Sequence, residues 1–348
     1  MMKRISLARA LTLGPKPGPA LGLILGLTLG LALQAPAADA ACRGIDYRDH
    51  LPAATEARLA REMAATPFSR GNHWVATKAN RTIHVIGTMH GGDARMARVM
   101  RTLRPVLAAA GAIYLETSDT GLQRLDRMPD ALARSFLLPQ GQELRQLLPR
   151  DAWERFLLTA RLSGVDPDTM NRMQPWAISM FVVQSGCRPY GFGLRRGLDD
   201  RISDFARRKR IPLGALETPE QALAAIAGLP LSDQARMLAL ELELVQSGKP
   251  EDATPVEAYF DQSVWTSFVL APWISAQYSS FSGAETARLW RQYNRRVLDQ
   301  RNQRWMKPIL AARQDRIVAA VGAAHLPGEN GVLNLLKAKG FKLTRAPW

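Results

Sequence analysis

Two short segments of this chain share one chemistry-bearing pattern. Gly87-Thr88-Met89-His90 closes the apolar run TIHVIG, and Gly322-Ala323-Ala324-His325 closes RIVAAV. In each, an apolar strand ends, a glycine permits a tight turn, and a histidine follows three residues later. Ligands of α/β sheets bind beyond the carboxyl ends of the strands, so two strands can deliver two imidazoles to one ion there. Glu116 has a similar placement at the end of the strand-like AIYLE. A carboxylate beside two imidazoles ligates a divalent metal or accepts a proton from a bound water. Two histidines and a glutamate suit zinc, manganese, cobalt and iron to different degrees. A structural role stays open for each histidine, because a lone one after a strand often only hydrogen-bonds. His73 and His84 fall inside strands as packed or exposed residues, and His50 falls on the surface.

The elements that must position these groups are readable from periodicity. Residues 72–77 and 82–87 are β-rich runs around a turn-like Lys78-Ala79-Asn80-Arg81, which predicts a hairpin. Met96, Val99, Leu103, Val106 and Leu107 recur at helical spacing over 94–109, with Pro105 predicting a kink or an early end. Residues 112–116 read as a buried strand, 198–210 as a helix and 211–216 as another strand. Residues 119 to about 185 and 219 to about 306 are helical by pattern, the second stretch with breaks expected at Pro230, Pro250 and Pro272. A strand at 316–321, a helix at 331–339 and a last strand at 341–344 complete the chain. Strand–helix alternation argues for an α/β fold with a central mixed sheet and helical insertions forming a cap. The α/β core spans about 70–118, 188–218 and 285–348, with insertions at about 119–187 and 219–284, in a single domain over 41–348.

Composition narrows the classes. With 348 residues, 47% hydrophobic and 22% charged, the chain can bury a full core and is not a disordered or collagen-like sequence. The net charge of +15 suits solubility or an anionic envelope surface. The basic run 207–210 lacks aromatic interleaving and reads as a solvated helix end, so nucleic acid is not an expected partner. No GxxxxGK[ST], GxSxG or HExxH occurs. The stretch 191–197 has spacing GxGxxxG, one residue too long for a dinucleotide loop, and reads as a turn.

The first forty residues read as an address. Lys3, Arg4, Arg9 and Lys16 precede the uncharged apolar run 20–33, and Ala38 and Ala40 stand at −3 and −1 for cleavage after Ala40. The expectation is a Sec-type signal peptide and a periplasmic or secreted protein, with an uncleaved N-terminal membrane anchor as the alternative. Cleavage removes four basic residues and one acid, leaving +12. Cys42 and Cys187 are the only cysteines, which excludes frameworks of four thiolates. In an oxidising compartment they invite one disulfide, whose long loop would contribute about 4–5 kcal/mol. Two separate buried thiols are the alternative.

At these motifs the sequence resembles the TraB/PrgY/GumN family, with Tiki-type metalloproteases as distant relatives. The resemblance rests on TIHVIGTMHGGD, YLET, Pro175-Trp176, Gly197-Leu198-Asp199, Leu216-Glu217-Thr218 with Gln221, Arg301-Asn302 and the closing VGAAHLPGENGVLNLLKAKGFKL. It runs from about Trp74 onward. It implies a fold of the erythromycin-esterase-like and ChaN-like type, and in the Tiki branch peptide hydrolysis with manganese or cobalt favoured. His90, His325 and Glu116 are the implied metal set. Glu116 is the implied base, Arg301 an oxyanion stabiliser or carboxylate holder, and Asn302 a positioner of the metal's water or a substrate amide. Asp199 and Glu217 match further acidic positions, where a structural hydrogen-bonding role stays equally open.

Two functions follow as expectations. One is a secreted divalent-metal-dependent hydrolase of the peptidase kind. The other is a non-catalytic envelope protein that binds or sequesters a peptide, metal or haem. A structural envelope protein in which the histidines merely fix the fold is a third.

Overall fold

The structure, a computed structural model, describes residues 44–117, 135–162, 166–181 and 197–348. Cys42, Cys187, the signal-like segment and residues 191–196 lie outside the described residues, as does much of the first helical stretch.

Six strands form one mixed sheet. They are β1 (His73–Lys78), β2 (Arg81–Thr88), β3 (Ala112–Leu115), β4 (Leu213–Ala215), β5 (Arg316–Gly322) and β6 (Lys342–Arg345), in the order β4-β3-β5-β2-β1-β6. β4, β3, β5 and β2 run parallel to one another, and β1 is antiparallel to both β2 and β6. The predicted hairpin is β1–β2, with His73 opposite Ile86 and Lys78 opposite Arg81. β2 and β5 are neighbours, with Thr88 opposite Gly322, so both histidine-bearing turns leave the same sheet edge one residue out of step. β3 flanks β5 on its other side, with Leu115 opposite Ala320, and places Glu116 on that edge as well.

The helices are α1 (Ala53–Ala65), α2 (Met96–Ala108), α3 (Arg150–Leu162), α4 (Pro175–Phe181), α5 (Leu198–Lys209), α6 (Pro219–Ala227), α7 (Leu231–Gln246), α8 (Thr254–Phe260), α9 (Trp265–Tyr278), α10 (Gly283–Asn294), α11 (Gln300–Ala311) and α12 (Val332–Ala338), with shorter turns between them. Both sheet faces are covered, as the alternation along β5 requires. Val318 and Ala320 join Met96, Leu103, Ile113, Leu198 and Tyr259 on one side. Ile317, Ala319 and Val321 join Trp305, Ile309, Leu333 and Leu336 on the other. Leu144, Phe156, Ile178, Leu238 and Leu242 gather in a separate core, so the helices away from the sheet bury their apolar stripes on one another.

Prolines interrupt less than their type suggests. Pro230 and Pro250 stand between helices, but α2 continues through Pro105 to Ala108 and α9 continues through Pro272 to Tyr278. Pro105 falls in the last turn of α2, where the lost backbone donor removes only one helical bond. At Pro272 the packed side chains of Thr266, Leu270, Ile274 and Ser275 hold the helix together across the missing bond. A π-helical turn, Arg295–Asp299, joins α10 to α11, with the Gln300 N–H reaching back five residues to the Arg295 carbonyl. The periodic pattern over 219–306 gave no sign of it.

Candidate functional site

Glycine's role in the two G-x-x-H turns is close approach and not a left-handed backbone. Neither Gly87 nor Gly322 has a positive φ. A Cβ on Gly87 would lie 2.9 Å from the Ala323 Cβ, so only glycine lets the ends of β2 and β5 meet. A Cβ on Gly322 would lie 3.2 Å from Glu116 Oε1. The expected tight turn is thus replaced by a steric requirement between neighbouring strands.

His90 leaves β2 through a loop docked on the N-terminus of α5. The Leu198 N–H donates to the Met89 carbonyl at 3.0 Å, and a side chain at Gly197 would overlap the Met89 and His90 carbonyls. That docking brings Asp199, in the first turn of α5, to His90: Nδ1 and Oδ2 are 3.0 Å apart. A carboxylate oxygen only accepts, so Nδ1 donates, and Nε2 is the ring nitrogen left without a hydrogen bond to the described residues. The Asp199 charge, against the effect of burial, raises His90 to about 9. Solvent reaches 41% of the ring and screens that attraction. Asp199 Oδ1 is buried with no hydrogen-bond partner.

His325 sits in a short 3-10 turn after β5 and is buried against Trp305, ring centroids 4.4 Å apart. Its Nδ1 donates to Asn302 Oδ1 at 2.6 Å, while Asn302 Nδ2 donates to the Asn330 and His325 carbonyls. This fixes Nε2 as the acceptor, facing Arg301 Nη1 at 3.3 Å and Glu116 Oε1 at 3.8 Å. Burial pushes this imidazole down to about 3 and keeps it neutral.

Arg301 is the hub. Its Nε donates to Glu217 Oε1 at 2.7 Å, Nη2 to Glu116 Oε2 at 2.6 Å, and Nη1 to the Val297 carbonyl at 3.2 Å and toward His325. The π-turn supplies that carbonyl. The Gly322 N–H donates to Glu116 Oε1 at 2.6 Å. Burial would raise the Glu116 carboxyl, but the Arg301 charge, then His325 and His90, hold it at about 2. Glu217 follows β4 and is fully buried, its Oε2 lacking a hydrogen bond and 3.5 Å from Arg304 Nη2. Every nitrogen of Arg301 is committed to protein groups, so it acts here as a holder of carboxylates. Stabilising an oxyanion would require one of those bonds to open.

The structure therefore brings Glu116, Glu217, Arg301, Asn302 and His325 into one bonded network, and His90 with Asp199 into a second beside it. The two are close enough that the His90 charge acts on Glu116 and His325. Among the described residues no group of three or more His, Cys, Asp or Glu side chains is gathered to hold a metal ion as it stands. Residues absent from the sequence reading also shape the site. The Tyr259 hydroxyl donates to the Gly87 carbonyl at 3.2 Å, and the Asn72 carbonyl accepts from the Gly87 N–H at 2.6 Å. Neither carries a local motif, and both meet Gly87 only through the tertiary fold.

A family description, the TraB/PrgY/gumN family, matches residues 72–345. The chain is similar to "Uncharacterized protein YbaP" of Escherichia coli (strain K12), 23% identical over 278 residues that cover 77% of this chain and 95% of that protein. The protein of the same description from Shigella flexneri matches to the same extent.

Proposed function

We propose that this chain, which belongs to the TraB/PrgY/gumN family, is a periplasmic or secreted divalent-metal-dependent hydrolase acting on peptides. One observation carries the reading. Both G-x-x-H histidines, at the ends of adjacent parallel strands, donate through Nδ1 to an oxygen acceptor, which leaves each Nε2 as the ligand-facing nitrogen, that of His325 now 3.3 Å from Arg301 Nη1, a contact an ion would displace. Metal-ligating histidines are held in this way, which fixes tautomer and ring direction. The donor chemistry fits a manganese or cobalt ion, with zinc or iron as alternatives: two neutral-capable imidazoles and a carboxylate that Arg301 keeps ionised. His90, His325 and Glu116 would hold the ion, which supplies Lewis acidity toward a water and a carbonyl. Asp199 and Asn302 orient the two rings. Glu217 anchors Arg301, and Arg301 fixes the Glu116 carboxylate toward the sheet edge. A fold of the erythromycin-esterase-like and ChaN-like type belongs to the same proposal.

A second reading is capture of a peptide, metal or haem without turnover. It is favoured by the full engagement of Arg301 and by the separation of the His90–Asp199 pair from the Glu116 network. Metal content and affinity of residues 41–348 discriminate, measured for wild type, His90→Ala and His325→Ala, with folding followed by circular dichroism. Binding of about one ion in the wild type, lost in both folded variants, supports the hydrolase reading and leads to a peptide-library screen with that metal. Equal binding in the variants, or none in the wild type, overturns it.

A further inference from the structure

The loop bearing His90 holds its ring by a single side-chain bond, to Asp199, and leaves much of it in solvent. The direction in which the main chain leaves Gly87 therefore decides where Nε2 points. That direction is fixed from below by α8 and by the segment that follows β6. Tyr259, 1% exposed, donates its hydroxyl to the Gly87 carbonyl, and its own carbonyl accepts from Asn72 Nδ2 at 2.8 Å. The indole of Trp348 meets the Tyr259 ring edge-on, centroids 5.5 Å apart and planes at 84°. Trp348 is kept there by His73. The Ala346 N–H donates to the His73 carbonyl at 2.9 Å, and His73 Nδ1 donates to the Pro347 carbonyl at 2.6 Å. The Pro347 carbonyl only accepts, so His73 Nε2 is the acceptor for His84 Nδ1, which donates to it at 3.1 Å and completes the latch. On the far side of the loop, Arg95 joins Asp93 to Glu257 of α8 and stacks 3.8 Å over Phe260.

We propose that Trp348 and Tyr259 are positioning residues of the His90 turn: Trp348, latched by His73, braces the Tyr259 ring, and the Tyr259 hydroxyl fixes the Gly87 carbonyl from which the turn departs. Edge-to-face rings resist sliding, so removing the indole lets Tyr259 tilt and its long hydroxyl bond open. The consequence for a ligand on His90 rests on the hydrolase reading, whereas the brace itself does not.

Hydrogen exchange of the whole protein tests the brace, with cobalt ion affinity measured alongside. The variants are Trp348→Ala, Trp348→Phe and Tyr259→Phe. Trp348→Ala and Tyr259→Phe are expected to speed exchange at amides 87–93 by about tenfold and leave the β3–β4 amides unchanged. Trp348→Phe, which keeps an aromatic edge, is expected to restore protection. Cobalt affinity falls in step with exchange where His90 ligates the ion. Local acceleration with no cobalt binding even in the wild type sinks the hydrolase reading and leaves the brace standing. Unchanged exchange at 87–93, or uniform acceleration across the sheet, overturns the brace.

Discussion

At the scale of residues, Asp199 and Asn302 perform one task by different chemistry. Each accepts a hydrogen bond from Nδ1 of a histidine, one through a carboxylate and one through an amide oxygen. Asp199→Asn and Asn302→Ala are expected to lower metal affinity by about 10–100-fold while the protein stays folded, as read by metal titration with circular dichroism. Arg301 is a different case. It is buried between two carboxylates, and Glu217 is itself fully buried. Arg301→Met leaves both acids uncompensated, so a loss of about 3–5 kcal/mol is expected in urea unfolding at neutral pH, before any effect on activity. A stability unchanged to within error in that variant shows that the pair relaxes into solvent. The types of these residues, and for Arg301–Asn302 the resemblance, were legible in the sequence. Which acid serves which base was not, because Glu217 and Glu116 reach Arg301 across 84 and 185 residues of chain.

At the scale of elements, the site depends on contacts too close for a side chain. α5 docks its N-terminus on the Met89–His90 backbone through Gly197. Gly197→Ala is expected to cost about 1–3 kcal/mol by overpacking and to weaken metal binding, although it removes no ligand. Thermal unfolding and metal titration on the same sample check both parts. Gly87→Ala, which would press on Ala323, is expected to behave likewise, whereas Gly141→Ala, in open space at a positive φ, strains only its own turn. The strands and most helices around these contacts followed from periodicity. Burial of the packed face kept α2 and α9 intact across Pro105 and Pro272, and the π-turn before α11 has no local signature.

At the scale of the molecule, the histidines link stability to pH in two directions. Burial lowers His73, lowers His84 to about 4 with His73 and Arg316 adding to it, and lowers His325 to about 3. For groups lowered in the folded state, the stabilising contribution is complete above the unfolded value near 6.5 and lost as pH falls toward the folded one. His90 is raised, so its contribution is complete below about 6.5 and is lost as pH rises toward its folded value of about 9. Stability in urea is expected to peak near neutrality and fall more steeply on the acid side, where three rings contribute against one partly screened ring. His84→Gln is expected to flatten the acid limb, and an unchanged limb removes the His73–His84 pair from the account. No helix among the described residues is long and apolar enough to cross a membrane. By itself the sequence determined that apolar strands lead to a glycine and a histidine and that helices alternate with them, because hydrophobic period is local, whereas the reason for the glycines is tertiary. Tertiary structure alone decided that β5 inserts between β2 and β3, that Arg301 binds Glu116 and Glu217 together, and that Trp348 and Tyr259 support Gly87. Those are pairings between distant segments, selected by close packing and by the cost of leaving buried charges and backbone groups unpaired.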